Sequence, residues 1–127
     1  MIRTHNIKKG EVIFREGNSS DFAYIIESGK FKVTKTFDDG KVRVISILNA
    51  NDIFGEMGVL EEMPRSATVT ALENGRVTIL DKRDFDALAA HNPHALMPIL
   101  KLLSNRLRKT LRLASIFTKC EKFPVRA

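Results

Sequence analysis

Short runs rich in β-branched and aromatic residues recur about every ten residues through the first two-thirds of the chain, and this spacing restricts the fold more than any other feature. The runs Glu11–Arg15, Phe22–Glu27, Lys30–Phe37 and Val42–Leu48 are separated by Gly10, Gly17, Gly29 and Gly40. Asp38-Asp39-Gly40 joins two alternating runs and reads as a hairpin turn. Thr68–Leu72 and Arg76–Leu80 read as a second hairpin across Glu73-Asn74-Gly75. Strands at this spacing imply a barrel or sandwich rather than βαβ units. The strand region is expected over about 8–81, with helices over about 82–119, in a single domain spanning 1–127.

Past Asp81 the period changes. Asp81 is placed to cap a helix over Lys82–His91, with Asp84 adding negative charge in its first turn. Asn92-Pro93 stops that helix and starts the next, and Pro98 kinks the last helix or delays its regular start. Along it Leu96, Leu100, Leu103, Leu107, Thr110, Ala114 and Phe117 follow in steps of four and three. That is either a core-facing stripe or a seam for a second helix, and the pattern supports a weak homodimer through this helix, tighter at high salt.

Composition narrows the function classes. The chain is 43% hydrophobic and 28% charged, ordinary for a soluble globular domain. Its formal charge of +6 is concentrated at the C-terminal end, where Lys101, Arg106, Arg108, Lys109, Arg112, Lys119, Lys122 and Arg126 face Glu121 alone. Such a tail suits nucleic acid or an anionic surface, or is simply a solvated basic helix face. Cys120 is a single thiol, so there is no internal disulfide or cysteine cluster. Met1–Lys9 contain no signal-peptide core, and nowhere do about 18 apolar residues run together. A cytoplasmic setting is expected. His5, His91 and His94 are scattered and have no carboxylate cluster beside them, so neither a metal site nor an enzyme such as a phosphodiesterase is expected.

The segment from Asp52 to Val69 carries the chemistry. A strand ends at Phe54, Gly55 removes a Cβ, and a helical turn follows from Glu56 to about Glu61. Arg65 then opens the next strand beside the small residues Ser66 and Ala67. Free backbone N–H groups and a guanidinium suit a phosphate, while a carboxylate at Glu56 suits sugar hydroxyls. The alternative is that Glu56 and Arg65 form a structural ion pair.

This segment resembles the phosphate-binding cassette of the cyclic-nucleotide-binding domain family, which includes the bacterial catabolite activator protein, regulatory subunits of cyclic-nucleotide-dependent kinases and nucleotide-gated channels. The family pattern is Phe-Gly-Glu, a small residue two places on, a variable loop, then Arg, a small residue and Ala. Gly55, Glu56, Gly58, Arg65, Ser66 and Ala67 match it. The likeness extends through Lys8–Gly17, Tyr24–Gly29, the Asp39-Gly40 turn and the C-terminal helices.

The resemblance implies a mainly β fold, a double-stranded β-helix (a jelly-roll-like β-roll) with a short cassette helix and a terminal lid helix. It implies a regulatory sensor that binds cAMP or cGMP, needs no metal and relays occupancy through its C-terminal helix to an effector outside this chain. Arg65 would bind the cyclic phosphate without being part of the core, and Glu56 would bind the ribose 2′-hydroxyl. Backbone amides of Gly55, Ser66 and Ala67 would complete the cradle around the phosphate, and Met57 and Gly58 would join the ligand-binding residues. Val33, Ile45 and Leu48 match positions lining the sugar and base. Thr110 matches a position that hydrogen-bonds adenine, which favours cAMP over cGMP.

Three departures stand out. Asn51 replaces the usual glycine, the segment before the first strand is reduced to Met1–Asn6, and ten residues after Phe117 are too few for a helix-turn-helix domain. The chain is therefore expected to be a stand-alone sensor or an excised module. A second function class remains: a fold-retaining nucleic-acid-binding or scaffold module acting through the basic C-terminal tail. Intact Glu56 and Arg65 favour the sensor.

Overall fold

The computed structural model describes residues 3–117. Strands β1 (Arg3–Ile7), β2 (Val12–Phe14), β3 (Phe22–Ser28), β4 (Phe31–Thr36), β5 (Val42–Leu48) and β6 (Ile53–Phe54) precede a short helix, α1 (Glu56–Glu61). Then come β7 (Thr68–Ala71), β8 (Gly75–Asp81), α2 (Lys82–His91), a 3-10 turn at Pro93–Leu96 and α3 (Met97–Phe117). The strands form two four-stranded antiparallel sheets, ordered β1-β8-β3-β6 and β2-β7-β4-β5, packed as a jelly-roll.

Period-two alternation decides what lies between the sheets and what lies under the helices. Tyr24 and Ile26 of β3, Phe54 of β6 and Val77 and Ile79 of β8 face the inter-sheet core with Phe31, Leu48 and Val69. The alternate residues Ala23, Ile53 and Leu80 build a second core with Val59 of α1, Phe85 of α2 and Ile99 of α3. The first sheet is thus buried on both faces, and this draws the helices to it. On the other sheet, Lys32, Thr68 and Thr70 alternate with the buried residues and stay partly exposed.

The β4–β5 hairpin forms as expected, with Thr36 opposite Val42 across the Asp38–Gly40 turn. The second expected hairpin does not. β7 pairs with β2 and β4, whereas β8 pairs with β1 and β3 in the opposite sheet. The Glu73–Gly75 segment therefore carries the chain from one sheet to the other. Leu72 N–H bonds to Lys30 O at 2.8 Å, and Gly75 lies so close to the Ser28–Gly29 backbone that a Cβ there would meet Ser28 O. A local turn signal cannot distinguish this crossing from a hairpin. The strand region also begins earlier than expected, because Arg3–Ile7 pairs with β8 along its full length.

The α2 boundaries match the sequence reading. Asp81 accepts from Asp84 N–H at 2.8 Å, and Asp84 accepts from Asp81 N–H at 2.8 Å, a reciprocal capping box. Pro98 delays the last helix: a 3-10 turn precedes α3, which becomes regular from Met97. The expected apolar seam is split by the structure. Leu96 and Leu103 pack with Ile99 on the body, while Leu100 and Leu107 are exposed with Met97 and Leu111. The seam was phased between two faces. Ala114 and Phe117 lie outside the side chains described, and Lys119, Cys120, Lys122 and Arg126 lie outside the described residues. No helix among the described residues is long and apolar enough to cross a membrane.

Candidate functional site

The site forms where β6 turns into α1. Gly55 takes φ 79°, and a Cβ there would come 2.7 Å from Arg65 Nη1 and 3.1 Å from Phe22 O. Only glycine lets the strand reverse here while the guanidinium lies against it. Asn51, which replaces a glycine, takes φ 71°, in the left-handed region that asparagine tolerates better than most residues.

Two backbone hydrogen bonds fix Arg65: its N–H donates to Asn18 O and its carbonyl accepts from Gly17 N–H, both at 2.8 Å. The side chain is only 6% exposed. Nη1 donates to Gly55 O at 2.8 Å, Nη2 donates to Phe22 O at 2.5 Å, and the guanidinium carbon lies 4.0 Å from the centre of the Phe14 ring. Arg65 is thus built into the core wall, contrary to the expectation that it stands apart from it. Burial pushes its pKa below the usual arginine value, opposed by the nearby Tyr24, Asp21 and Glu56.

Glu56 opens α1 and is 5% exposed. It is not the partner of Arg65. Its Oε1 accepts from Arg106 Nη1 of α3 at 2.8 Å, and the same nitrogen donates to Ile53 O at 2.6 Å. Among the described residues, Glu56 Oε2 and Arg65 Nε are buried with no hydrogen-bond partner.

Both side chains line a cavity of about 140 Å³, which is walled by Phe14, Val33, Leu48, Phe54 and Val69 from the roll. The cassette residues Gly55, Met57, Gly58, Ser66 and Ala67, together with Arg106, complete it. Lys35 Nζ donates to Ser66 O at 2.9 Å and ties the cassette strand to β4. At Gly58 a Cβ would collide with the Ser20 side chain, so the small residue two places after Glu56 is a packing requirement.

Nine of the eleven expected site residues therefore line one cavity, and two do not. The register of β4 and β5 shifts so that Val33 faces Ser46 and Thr34 faces Val44, leaving Ile45 unpaired at the bulge and half exposed. Thr110 is exposed, and its hydroxyl donates to Arg106 O one turn back at 2.9 Å. Arg106 was not anticipated. Phasing α3 on Ile99 and Leu103 would have placed it on the buried side, three residues past Leu103.

The sequence pattern described as "Cyclic nucleotide-binding domain" matches residues 4–92. The chain belongs to this family. It is 31% identical over 102 residues to the CRP-like cAMP-activated global transcriptional regulator of Mycobacterium tuberculosis, covering 80% of this chain and 46% of that protein. The chain thus spans about half the length of that relative. The catabolite activator protein of Thermus thermophilus superposes with a TM-score of 0.77 at 28% identity, covering 92% of this chain and 55% of that one. The EAL enzyme Bd1971 has been solved in a cAMP-bound form (TM-score 0.64, 31% identity, 93% of this chain and 32% of that one). Its cGMP-bound form also aligns (TM-score 0.63, 33% identity, 83% and 28%).

Proposed function

We propose that this chain is a non-catalytic sensor that binds a cyclic nucleotide, cAMP ahead of cGMP, and passes its occupancy to α3. One observation carries the reading: among the described residues, a buried donor, Arg65 Nε, and a buried acceptor, Glu56 Oε2, lack partners and belong to side chains lining one cavity. Buried polar atoms are costly to leave unpaired, so this pair calls for a ligand that brings an anion beside a hydroxyl. An esterified phosphate fused to a ribose does so. Phe14, Val33, Leu48 and Val69 supply an apolar wall for the sugar and base.

The cavity is smaller than the 300 Å³ or more usual for a ligand of about this size, so a nucleotide needs room. Arg106 reaches in from α3 to Glu56 and to Ile53 O, so a ligand that meets Glu56 also meets this helix. This supports a relay through α3. The preference for cAMP rests on the relatives named for that ligand, since Thr110 bonds its own helix and adds nothing to it. Beyond the cavity, Met97, Leu100, Leu107 and Leu111 leave an apolar stripe on α3 flanked by Lys101, Arg108 and Arg112. A second copy covers this stripe in a weak homodimer that screening salt tightens; sedimentation at two salt concentrations tests it, and a monomer at both refutes it. Calorimetric titration with cAMP and cGMP tests the ligand. Saturable binding of cAMP, tighter than cGMP, is the expected result, and no binding of either overturns the reading.

A further inference from the structure

We infer that Lys35 is a positioning residue for the phosphate: by holding the Ser66 carbonyl outside the cavity, it turns the Ala67 N–H into it. This rests on the cavity being a cyclic-nucleotide site.

The peptide joining Ser66 to Ala67 lies between two anchored points. Before it, the Arg65 N–H donates to Asn18 O and the Arg65 carbonyl accepts from Gly17 N–H. After it, Thr68 enters β7 opposite Thr34, and its hydroxyl accepts from Glu16 N–H at 3.0 Å. The linking peptide has no such ladder. Among the described residues, neither the Ser66 nor the Ala67 N–H bonds a backbone carbonyl, and no backbone N–H donates to Ser66 O. That oxygen instead accepts from the Lys35 ammonium at 2.9 Å. A planar peptide between fixed neighbours can still turn about its flanking ψ and φ, so the Lys35 bond decides which edge faces the cavity.

That edge decides what an anion meets. In a trans peptide the C=O and the following N–H point in opposite directions, and this peptide is trans. Ser66 and Ala67 line the cavity, whereas Lys35 lies outside its wall, so a carbonyl drawn to Lys35 leaves the Ala67 N–H directed inward. Turned the other way, the peptide would present the partial negative charge of an oxygen to the phosphate. Arg65 makes the orientation matter more. Its two terminal nitrogens are engaged by Gly55 O and Phe22 O, which leaves Nε as its buried donor without a partner, so backbone amides must supply the rest. Lys35 is itself steadied by Glu16, whose Oε2 lies 3.8 Å from Nζ and whose Oε1 accepts from Thr36 N–H at 3.1 Å. This carboxylate offsets the ammonium charge, so Lys35 acts on the phosphate through the peptide rather than by attraction at a distance.

The test is calorimetry of the wild-type chain, Lys35→Met and Lys35→Arg, each with cAMP and with the two diastereomers of its phosphorothioate, in which sulfur replaces one or the other exocyclic oxygen. Sulfur is a poor acceptor, so the diastereomer with sulfur at Ala67 has already lost that amide bond. Lys35→Met should therefore weaken cAMP and one diastereomer by about tenfold, and the other by less than about twofold. Lys35→Arg keeps a cationic donor and should stay within about threefold of wild type for all three. Melting curves identify a methionine variant that has lost its fold; Lys35→Gln, shorter and uncharged, then takes its place in the same titrations. Equal losses for all three ligands would mean that Lys35 acts by charge or by supporting the fold, and would overturn the proposal. Unchanged affinity in Lys35→Met, or an arginine variant that behaves like it, would do the same. In each of these cases wild-type binding of cAMP leaves the nucleotide site standing; a wild type that binds neither cAMP nor cGMP overturns the cyclic-nucleotide reading itself.

Discussion

Replacing Arg65 by leucine tests two roles that the structure combines in one side chain. The guanidinium makes charge-assisted bonds to Gly55 O and Phe22 O and lies over Phe14. Each such hydrogen bond is worth about 1.5–3 kcal/mol, and a partly buried cation–π contact about 1–2 kcal/mol. Leucine returns about 2 kcal/mol of apolar burial but leaves both carbonyls without their donor. The net loss of stability is about 2–6 kcal/mol. At about 3–5 °C per kcal/mol for a domain of this size, the melting midpoint should fall by about 15 °C. Nucleotide binding, measured by calorimetry well below that midpoint, should weaken by about 2–5 kcal/mol, the usual cost of removing one partner from a buried charge pair. Arg65→Lys should keep part of the affinity yet lose most of the stability, because an ammonium cannot span both carbonyls. An Arg65→Leu melt at the wild-type temperature would show that the carbonyls do not depend on Arg65. Unchanged affinity in a folded variant would remove it from the ligand site.

Gly55→Ala should cost about 1–3 kcal/mol of stability and more than about tenfold in nucleotide affinity, since the new Cβ meets a strained backbone and the Arg65 guanidinium at 2.7 Å; a melt and a titration check it, and wild-type values for both would refute the argument. Asp81→Ala should cost about 1 kcal/mol by loss of the α2 cap, read as a shift in denaturation midpoint. The Asp81 N–H holds the Asp84 carboxyl below its usual pKa in the folded chain. Its contribution is therefore present above the unfolded value near 4 and is lost as pH falls through the lower folded value. Denaturant midpoints between pH 6 and about pH 3 should fall less in Asp84→Asn than in the wild type.

Local chemistry settled much of this protein in advance. The boundaries of α2, its Asp81 cap, the β4–β5 hairpin and the α1 turn after Gly55 are decided within a few residues, by side chains bonding neighbouring backbone or by an absent Cβ. The cassette from Gly55 to Ala67 was legible for the same reason: its cavity-lining residues lie within one short stretch of chain. What tertiary structure decided is what distant segments do to one another. Whether β7 and β8 pair or part is settled by the vacancies each finds beside β4 and β3, which no turn sequence records. Ile45 left the cavity because one residue of bulge altered its pairing, and β1 formed because β8 presents a free edge to it. Arg65 was recognisable as a cation near an anion site, but its role in holding Phe22 O and Gly55 O depends on a contact across 43 positions of chain. Arg106 is the clearest case. In sequence it is one of a run of basic residues on a helix, and it meets Glu56, 50 positions earlier, only because Ile99 and Leu103 turn that face of α3 onto the first sheet.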